Sequence, residues 1–352
     1  MNRGSTPLQI HKAYFTTYPC SLFITRISFY TFVKKTNMKN GRNYSTWKKA
    51  YYHLCSDGWK EGKIFYTPNH FAEGMTALAL ASLMFPVTIY CFTLMPNHFH
   101  IVLSGTGRGC TQLFRYLTRR ARKRLIRDGY LPLPETYDFK LIPIENESQM
   151  RNNLIYVIRN PLEKNLTVPG GYPWGSGYLY YSLFPSRSYG ERVGNLSIRT
   201  RRTLFETKHP IPDEWLYHEE LGILPTNFVD TKLFLKLFPA PKDYEIRLVK
   251  DFEAYISIAE MLEETPSFSK EECYAILERL LQTKYNGRKL NELSSADKAN
   301  LATILFSEYH WDTQTISRFI VLSEHLAQQI IYAYQKRTKS FGHDNAKYRG
   351  QK

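Results

Sequence analysis

This 352-residue sequence has no run approaching the roughly 18 consecutive apolar residues that a membrane span needs. Residues 21–33 are apolar and aromatic, but the stretch is short, Arg26 interrupts it, and no small-residue cleavage site follows. Neither a span nor a signal peptide is expected there. Cysteine is sparse: Cys20, Cys55, Cys91, Cys110 and Cys273, with no C-x-x-C pair. That spacing excludes a disulfide framework and a zinc knuckle, and it fits reduced thiols in a cytosol. No internal repeat or low-complexity tract occurs. Acid is in deficit, with 32 Asp and Glu against 47 Lys and Arg, for a formal net charge of +15. A surplus of this size favours a polyanionic partner, because basic side chains that neutralise phosphates release condensed counterions. Nucleic acid is the first candidate and an anionic membrane surface the second.

What is present suffices for ordinary packed cores: 43% of residues are hydrophobic and 15% aromatic. The length suggests two domains. Residues 1–47 carry little usable pattern and are treated as an N-terminal extension; one plain explanation is that Met38 is the true start. Residues 51–55 (YYHLC) read as a strand, 56–62 as a turn, and KIFY resumes an extended pattern. Residues 71–84 have helical composition and 87–94 read as a strand. Pro96 and Asn97 break it, and 98–103 resume a strand. Residues 112–127 form a strongly basic helix, 137–144 a strand and 148–159 a helix. The order βαββαβα predicts an α+β sandwich with a single sheet. The polar, basic stretch 186–203 marks a boundary. Beyond it the pattern is almost wholly helical: 243–263, 270–283, 295–309 and two short helices, with a polar tail from 336 that frays.

Two local patterns carry chemistry. In C-F-T-L-M-P-N-H-F-H-I-V-L-S-G (91–105), strand alternation places His98 and His100 on one face and turns Phe99 into the core. Two imidazoles about 7 Å apart along a strand can converge on one divalent cation and leave positions open for phosphate oxygens. Two surface histidines on a strand would look the same, so the pair alone is weak. Pro68-Asn69-His70-Phe71 echoes the motif but lacks the second histidine, which makes His70 structural or solvent-facing. In N-N-L-I-Y-V-I-R-N-P (152–161), Tyr156 and Asn160 are four apart and share a helical face. Pro161 is expected to end that helix after Asn160. Most of the 26 tyrosines must be packing residues, and the residues alone leave the role of Tyr156 open.

In combination these strings resemble a known family. T-L-M-P-N-H-F-H-I-V-L, then about 56 residues later I-Y-V-I-R-N-P-L-E-K-N-L, then Y-P-W-G-S, is similar to the HUH single-tyrosine transposases, and within them to the REP-associated tyrosine transposases of bacteria. The resemblance covers roughly residues 48–182. Departures are Leu162 for the usual valine, Asn165 for glycine and Gly175 for serine. The resemblance implies a ferredoxin-like HUH domain over 48–185, an antiparallel sheet with helices on one face; the pattern beyond it gives a mainly α-helical domain over 186–352. It implies that His98, His100 and Asn160 are ligands for Mg²⁺ or Mn²⁺ and that Tyr156 is the nucleophile. Tyr156 would attack a DNA phosphodiester to give a 5′-phosphotyrosine and a free 3′-hydroxyl. The implied partner is single-stranded or hairpin DNA, with a monomer or homodimer in a bacterial cytoplasm at the nucleoid.

Between the motifs, Arg115, Arg119, Arg120, Arg122, Lys123, Arg124 and Arg127 form a cationic helix surface with no interleaved acid before Asp128, which suits phosphate contact better than a merely solvated face. Residues 313–335 resemble a helix-turn-helix. Ile316, Phe319 and Ile320 line one helix, Ser323 caps the next, and Leu326, Ile330 and Ile331 line that one. Gln328 and Gln329 face outward, where glutamine suits base edges. Val321 stands at the turn position where glycine is usual. The rival readings are a non-enzymatic, domesticated transposase acting as a DNA-binding regulator, and an RNA-binding role.

Overall fold

The computed structural model describes residues 50–163, 171–181, 189–250 and 252–347, which lie within one compact unit. The N-terminal extension, Asn165 and the expected boundary at 186 fall outside the described residues.

The first half runs β1 (Ala50–Ser56), α1 (Pro68–Met84), β2 (Val87–Leu94), β3 (Phe99–Gly105), α2 (Gly107–Arg127), β4 (Phe139–Ile144) and α3 (Glu147–Glu163). The strands form one sheet of order β2-β3-β1-β4, antiparallel at every junction. The KIFY segment is no strand. It lies under the β2–β3 turn, where the amides of Ile64 and Phe65 both donate to the Pro96 carbonyl. Thr67 caps α1 with Pro68 in its first turn, a pre-organised helix start.

Alternation along the strands gives the sheet two different faces. Phe99, Ile101 and Leu103 of β3 and Leu54 of β1 are buried on one face, which α1 and α2 cover; the Phe99 and Phe114 ring centroids are 5.9 Å apart. His100, Val102 and Ser104, with His53 and Cys55 opposite them, turn to the other face. There α3 lies across the sheet, its Val157 carbonyl accepting from Thr93 Oγ1 at 2.8 Å. Helices therefore cover both faces, not one. That same bond explains why α3 does not end at Asn160. Pro161 lacks the N–H that would bond Val157, four residues back, and a proline there ordinarily breaks the helix. Thr93 satisfies the freed carbonyl instead, and the helix continues to Glu163. The free edge of β2 is also covered. Trp174 and Ser176 exchange backbone bonds with Leu94 and Phe92, and Asp230 donates to the Ile89 carbonyl. A Cβ at Gly175 would stand 3.0 Å from the Phe92 carbonyl, so this departure from the family string permits close approach.

The second half is not wholly helical. β5 (Glu191–Arg192), α4 (Ile198–Leu204), β6 (Leu216–His218) and β7 (Gly222–Ile223) build a small sheet of order β5-β6-β7. Val193, Phe205, Trp215 and Ile223 pack there against Ala79 and Leu80 of α1. Gly222 makes this docking feasible: at φ +74 its missing Cβ would lie 2.2 Å from the Ala72 carbonyl. Then follow α5 (Lys232–Leu237), α6 (Pro241–Lys250), α7 (Phe252–Leu262), α8 (Lys270–Lys284), α9 (Ser295–Tyr309), α10 (Thr313–Ile320) and α11 (Glu324–Lys347). The tail does not fray at 336, since α11 runs through it.

Helices α9, α10 and α11 pack together. Ile316, Phe319 and Ile320 are buried, and Ser323 caps α11. On α11 the buried stripe is Ala327 and Ile331, while Leu326 faces solvent. Ile330 is partly buried against the same core, so Leu326 alone departs from the expected face, with Ala327 in its place. Among the described residues no helix is long and apolar enough to cross a membrane.

The α6–α8 helices dock onto α3 through one fully buried cation. Arg159 donates to Glu272 at 2.5 Å and to the Leu248 carbonyl at 3.0 Å. Its guanidinium lies 4.9 Å from the Tyr255 ring centroid and 5.4 Å from that of Phe252. Removing one partner of a buried pair leaves an uncompensated charge. Arg159→Ala is therefore expected to destabilise the protein by about 3–5 kcal/mol, read as a lower urea midpoint. Val321 sits in the left-handed region at φ 55, nearly three-quarters exposed, a costly conformation for a β-branched residue. Val321→Gly should stabilise by about 1 kcal/mol, measurable as a raised Tm; an unchanged or lower Tm would show that the turn carries no strain.

Candidate active site

The face of the sheet under α3 gathers a polar cluster. From β1 come His53 and Cys55; from the start of β3 come His98, just ahead of the strand, and His100. Asn153, Tyr156 and Asn160 come from α3, where spacings of three and four put them on one stripe. His98 and His100 ring centroids are 4.9 Å apart, and those of His100 and Tyr156 are 5.5 Å apart. Asn160 Nδ2 lies 3.2 Å from His100 Nε2. The four residues singled out in the sequence thus stand together, all buried.

A hydrogen-bond chain behind them fixes how His100 presents itself. Asn153 donates through Nδ2 to the Gln149 carbonyl at 2.7 Å, which orients its amide. Its Oδ1 is 2.7 Å from His53 Nδ1, which must therefore carry a proton. His53 Nε2 is then an acceptor, 3.1 Å from His100 Nδ1, which donates to it. The lone pair of His100 is left on Nε2, aimed into the cluster. A second partner that sets the tautomer in this way is what metal-binding histidines use. Burial holds His53 down to about 4, against the bond from Asn153. Burial likewise holds His100 well below the ordinary imidazole value, against the pull of Glu264. Both rings are neutral at pH 7.

Asn160 Oδ1 is buried with no hydrogen-bond partner, a costly state for an amide oxygen. Rotating the amide by half a turn exchanges its O and N positions and would point that oxygen at the space beside His100 Nε2. Two donors on one octahedral cation, each about 2.1 Å from it, are separated by about 3 Å, close to the spacing found. The spacing of His100 and Asn160 therefore fits two donors to one divalent ion, and the His98 ring stands beside them with its Nδ1 2.9 Å from Asn97 Oδ1.

Two members of the cluster lie outside the sequence expectation. His53 belongs to the strand YYHLC, and only its alternation with Cys55 hints at its facing. Glu264 follows α7, and no local signal marks it. Its carboxylate accepts from the Tyr156 hydroxyl and, at 3.3 Å, from the Cys55 thiol, and it lies 3.5 Å from His100 Nε2. Cys55 Sγ, a His100 ring nitrogen and a Glu264 oxygen all lie within 4.8 Å of one another. Burial pushes the Cys55 thiol well up, helped by Glu264, so it remains protonated. Burial pushes Glu264 up and the bonds from Tyr156 and Cys55 pull it down; attraction to the His100 and His98 rings would lower it further only with those rings protonated.

The basic helix is not part of this cluster, since α2 covers the opposite face. Its counter-charges come from elsewhere in the chain. Arg120 donates to the Phe205 carbonyl at 2.9 Å, Arg122 to those of Leu133 and Pro134 at 2.7 Å, and Arg124 to Glu73 at 2.9 Å and Asp128 at 2.6 Å. Arg127 pairs with Glu206, and Lys123 reaches the same carboxylate at 3.7 Å. Arg115 and Arg119 are exposed. His70 is structural: buried, with Nε2 2.8 Å from Asp128. Gln328 and Gln329 are exposed on α11, beside Glu324 and His325 respectively.

No family model and no curated protein matches the chain. Among solved structures, a REP-associated tyrosine transposase bound to a REP hairpin is similar, at 14% identity and a TM-score of 0.32, over 44% of this chain and 93% of that one.

The neutral histidines give the fold a pH dependence. An unfolded histidine protonates near 6.5, whereas His53 resists protonation until about 4. Its contribution is fully present above pH 6.5 and is lost as pH falls toward 4, because the unfolded chain binds more protons in that window. Urea unfolding in EDTA should show stability falling by an amount on the order of 3 kcal/mol between pH 7 and 4 from this group. A flat profile would mean that the ring is solvated.

Proposed function

We propose that this chain is a metal-dependent single-stranded-DNA endonuclease and strand transferase of the HUH single-tyrosine type, with residues 48–185 as a ferredoxin-like HUH domain and 186–352 as the helical region packed on it. The observation that carries this reading is the convergence of two motifs 60 residues apart in sequence on one buried point, the His100 Nε2 beside Asn160. The adjoining orphaned amide oxygen has no other evident use. In this reading His98, His100 and Asn160 hold Mg²⁺ or Mn²⁺, which supplies Lewis-acid stabilisation of charge on the phosphate. The oxygen of Tyr156 attacks phosphorus and the P–O3′ bond breaks. The products are a 5′-phosphotyrosine and a 3′-hydroxyl. One ester is exchanged for another, so the strand can be rejoined without ATP.

The partner in this reading is single-stranded or hairpin DNA. Phosphate contact on α2 falls first to the exposed Arg115 and Arg119, because Arg120, Arg122, Lys123, Arg124 and Arg127 have partners within the chain. The α10–α11 pair serves as a helix-turn-helix, with Gln328 and Gln329 toward the bases.

Labelled hairpin DNA from the gene's own flanks, incubated with Mn²⁺ or Mg²⁺, is expected to form a covalent adduct with the wild type. Tyr156→Phe should abolish it, and His98→Ala/His100→Ala should lower it by at least about 10²-fold. Specific binding with no adduct under either metal would replace this reading with the DNA-binding regulator. Preference for a matched RNA strand would move the partner to RNA.

A further inference from the structure

Glu264 is 108 residues from Tyr156 in sequence and comes from the helical region, yet it touches the nucleophile candidate directly. Its two oxygens do different things. Oε2 accepts from the Tyr156 hydroxyl, and Oε1 lies 3.5 Å from His100 Nε2. The second spacing is close to the edge of a coordination polyhedron, as is that of Asn160.

The chain is also built to hold this carboxylate in place. Helix α7 ends in a left-handed residue, Glu263 at φ 57, where glycine is the usual choice. The Glu264 amide returns to the Ala259 carbonyl at 2.8 Å. From the sheet, Lys140 of β4 reaches the Leu262 carbonyl at 2.5 Å and the Glu263 carboxylate at 3.0 Å. Tyr255 of α7 stacks on the Tyr156 ring, 5.1 Å between centroids at 21°. A non-glycine residue in this conformation costs of order 1 kcal/mol or more, and such outliers persist where the surroundings over-determine them. Glu264 keeps a quarter of its side chain exposed, against 0% for His100.

We propose that Glu264 is a catalytic residue of this centre, its Oε2 taking the phenolic proton of Tyr156 and its Oε1 adding an anionic donor beside His100 for the divalent ion. The inference rests on the endonuclease reading. As the Tyr156 O–P bond forms, the O–H bond breaks, its proton passes to Oε2 and its electron pair enters the new ester. The P–O3′ bond breaks with its electrons, and the 3′ oxygen takes a proton from water. In the reverse direction Glu264 returns the proton to Tyr156. A carboxylate also improves the donor set for a hard cation, since two imidazoles and an amide carry no charge.

The test uses the full chain. Mn²⁺ binding to metal-free protein without DNA is measured by calorimetry, and adduct formation on hairpin DNA is timed separately. Glu264→Gln, which keeps the shape and removes the charge, should weaken Mn²⁺ about tenfold or more and slow the adduct by about 10²–10⁴-fold. Glu264→Asp keeps the charge but shortens the reach. It should retain more Mn²⁺ affinity than the Gln variant while still slowing the adduct, and it stands in if the Gln variant does not fold. Wild-type affinity in Glu264→Gln overturns the donor role, and a wild-type rate overturns the proton role. A faster rate also overturns it, marking Glu264 as a plug in the position of the phosphate. If the wild type forms no adduct, the endonuclease reading fails, and the Mn²⁺ comparison still decides the donor role.

Discussion

The bond from His100 to His53 is the constraint on which the polar centre depends. A neutral imidazole has one donor and one acceptor nitrogen, and which is which is set by its neighbours. Here the choice is made two steps away, where Asn153 is oriented by the Gln149 carbonyl and dictates the proton on His53. The first step lies within α3, and the next two cross from α3 to β1 and from β1 to β3, so β1, β3 and α3 must all be in register before the lone pair of His100 points inward. Burial reinforces the outcome by keeping both rings neutral.

Much of the α/β half was legible in the sequence because its signals are local. Alternation along residues 98–103 and the four-residue spacing of Tyr156 and Asn160 are properties of one strand and one helix, and both pairs land where those periods place them. What was not legible depends on contacts far apart in the chain. Pro161 does not stop α3, because a threonine on β2 accepts the task of satisfying Val157. The arginines of α2 seemed unpaired because their partners, Glu73 and Glu206, lie on other elements. His53 carried no motif of its own. Glu264 sits in an acidic stretch that looks like any solvated helix end, and only the packing of α7 on α3 brings it to Tyr156.

That packing gives Arg159 and Tyr156 complementary positions on one helix. Tyr156 faces the sheet and its polar cluster. Arg159 faces outward to α7 and α8, where Glu272 and two aromatic rings receive it. A helix with polar groups on both faces is stable here because both faces are covered and nearly every group is partnered. The exception is the Asn160 oxygen, which is buried without a hydrogen-bond partner.

The centre therefore spans a long stretch of chain, and this has a consequence for its birth on the ribosome. Tyr156 is synthesised 108 residues before Glu264. At about 5–20 residues per second, an interval of about 5–20 s separates the emergence of the tyrosine from that of the carboxylate to which it is bonded. During that time the sheet and α3 are already in existence as sequence, yet the hydroxyl lacks its partner and Arg159 its counter-charge. The nascent chain thus holds the tyrosine in an unfinished setting until the helical region arrives to complete it.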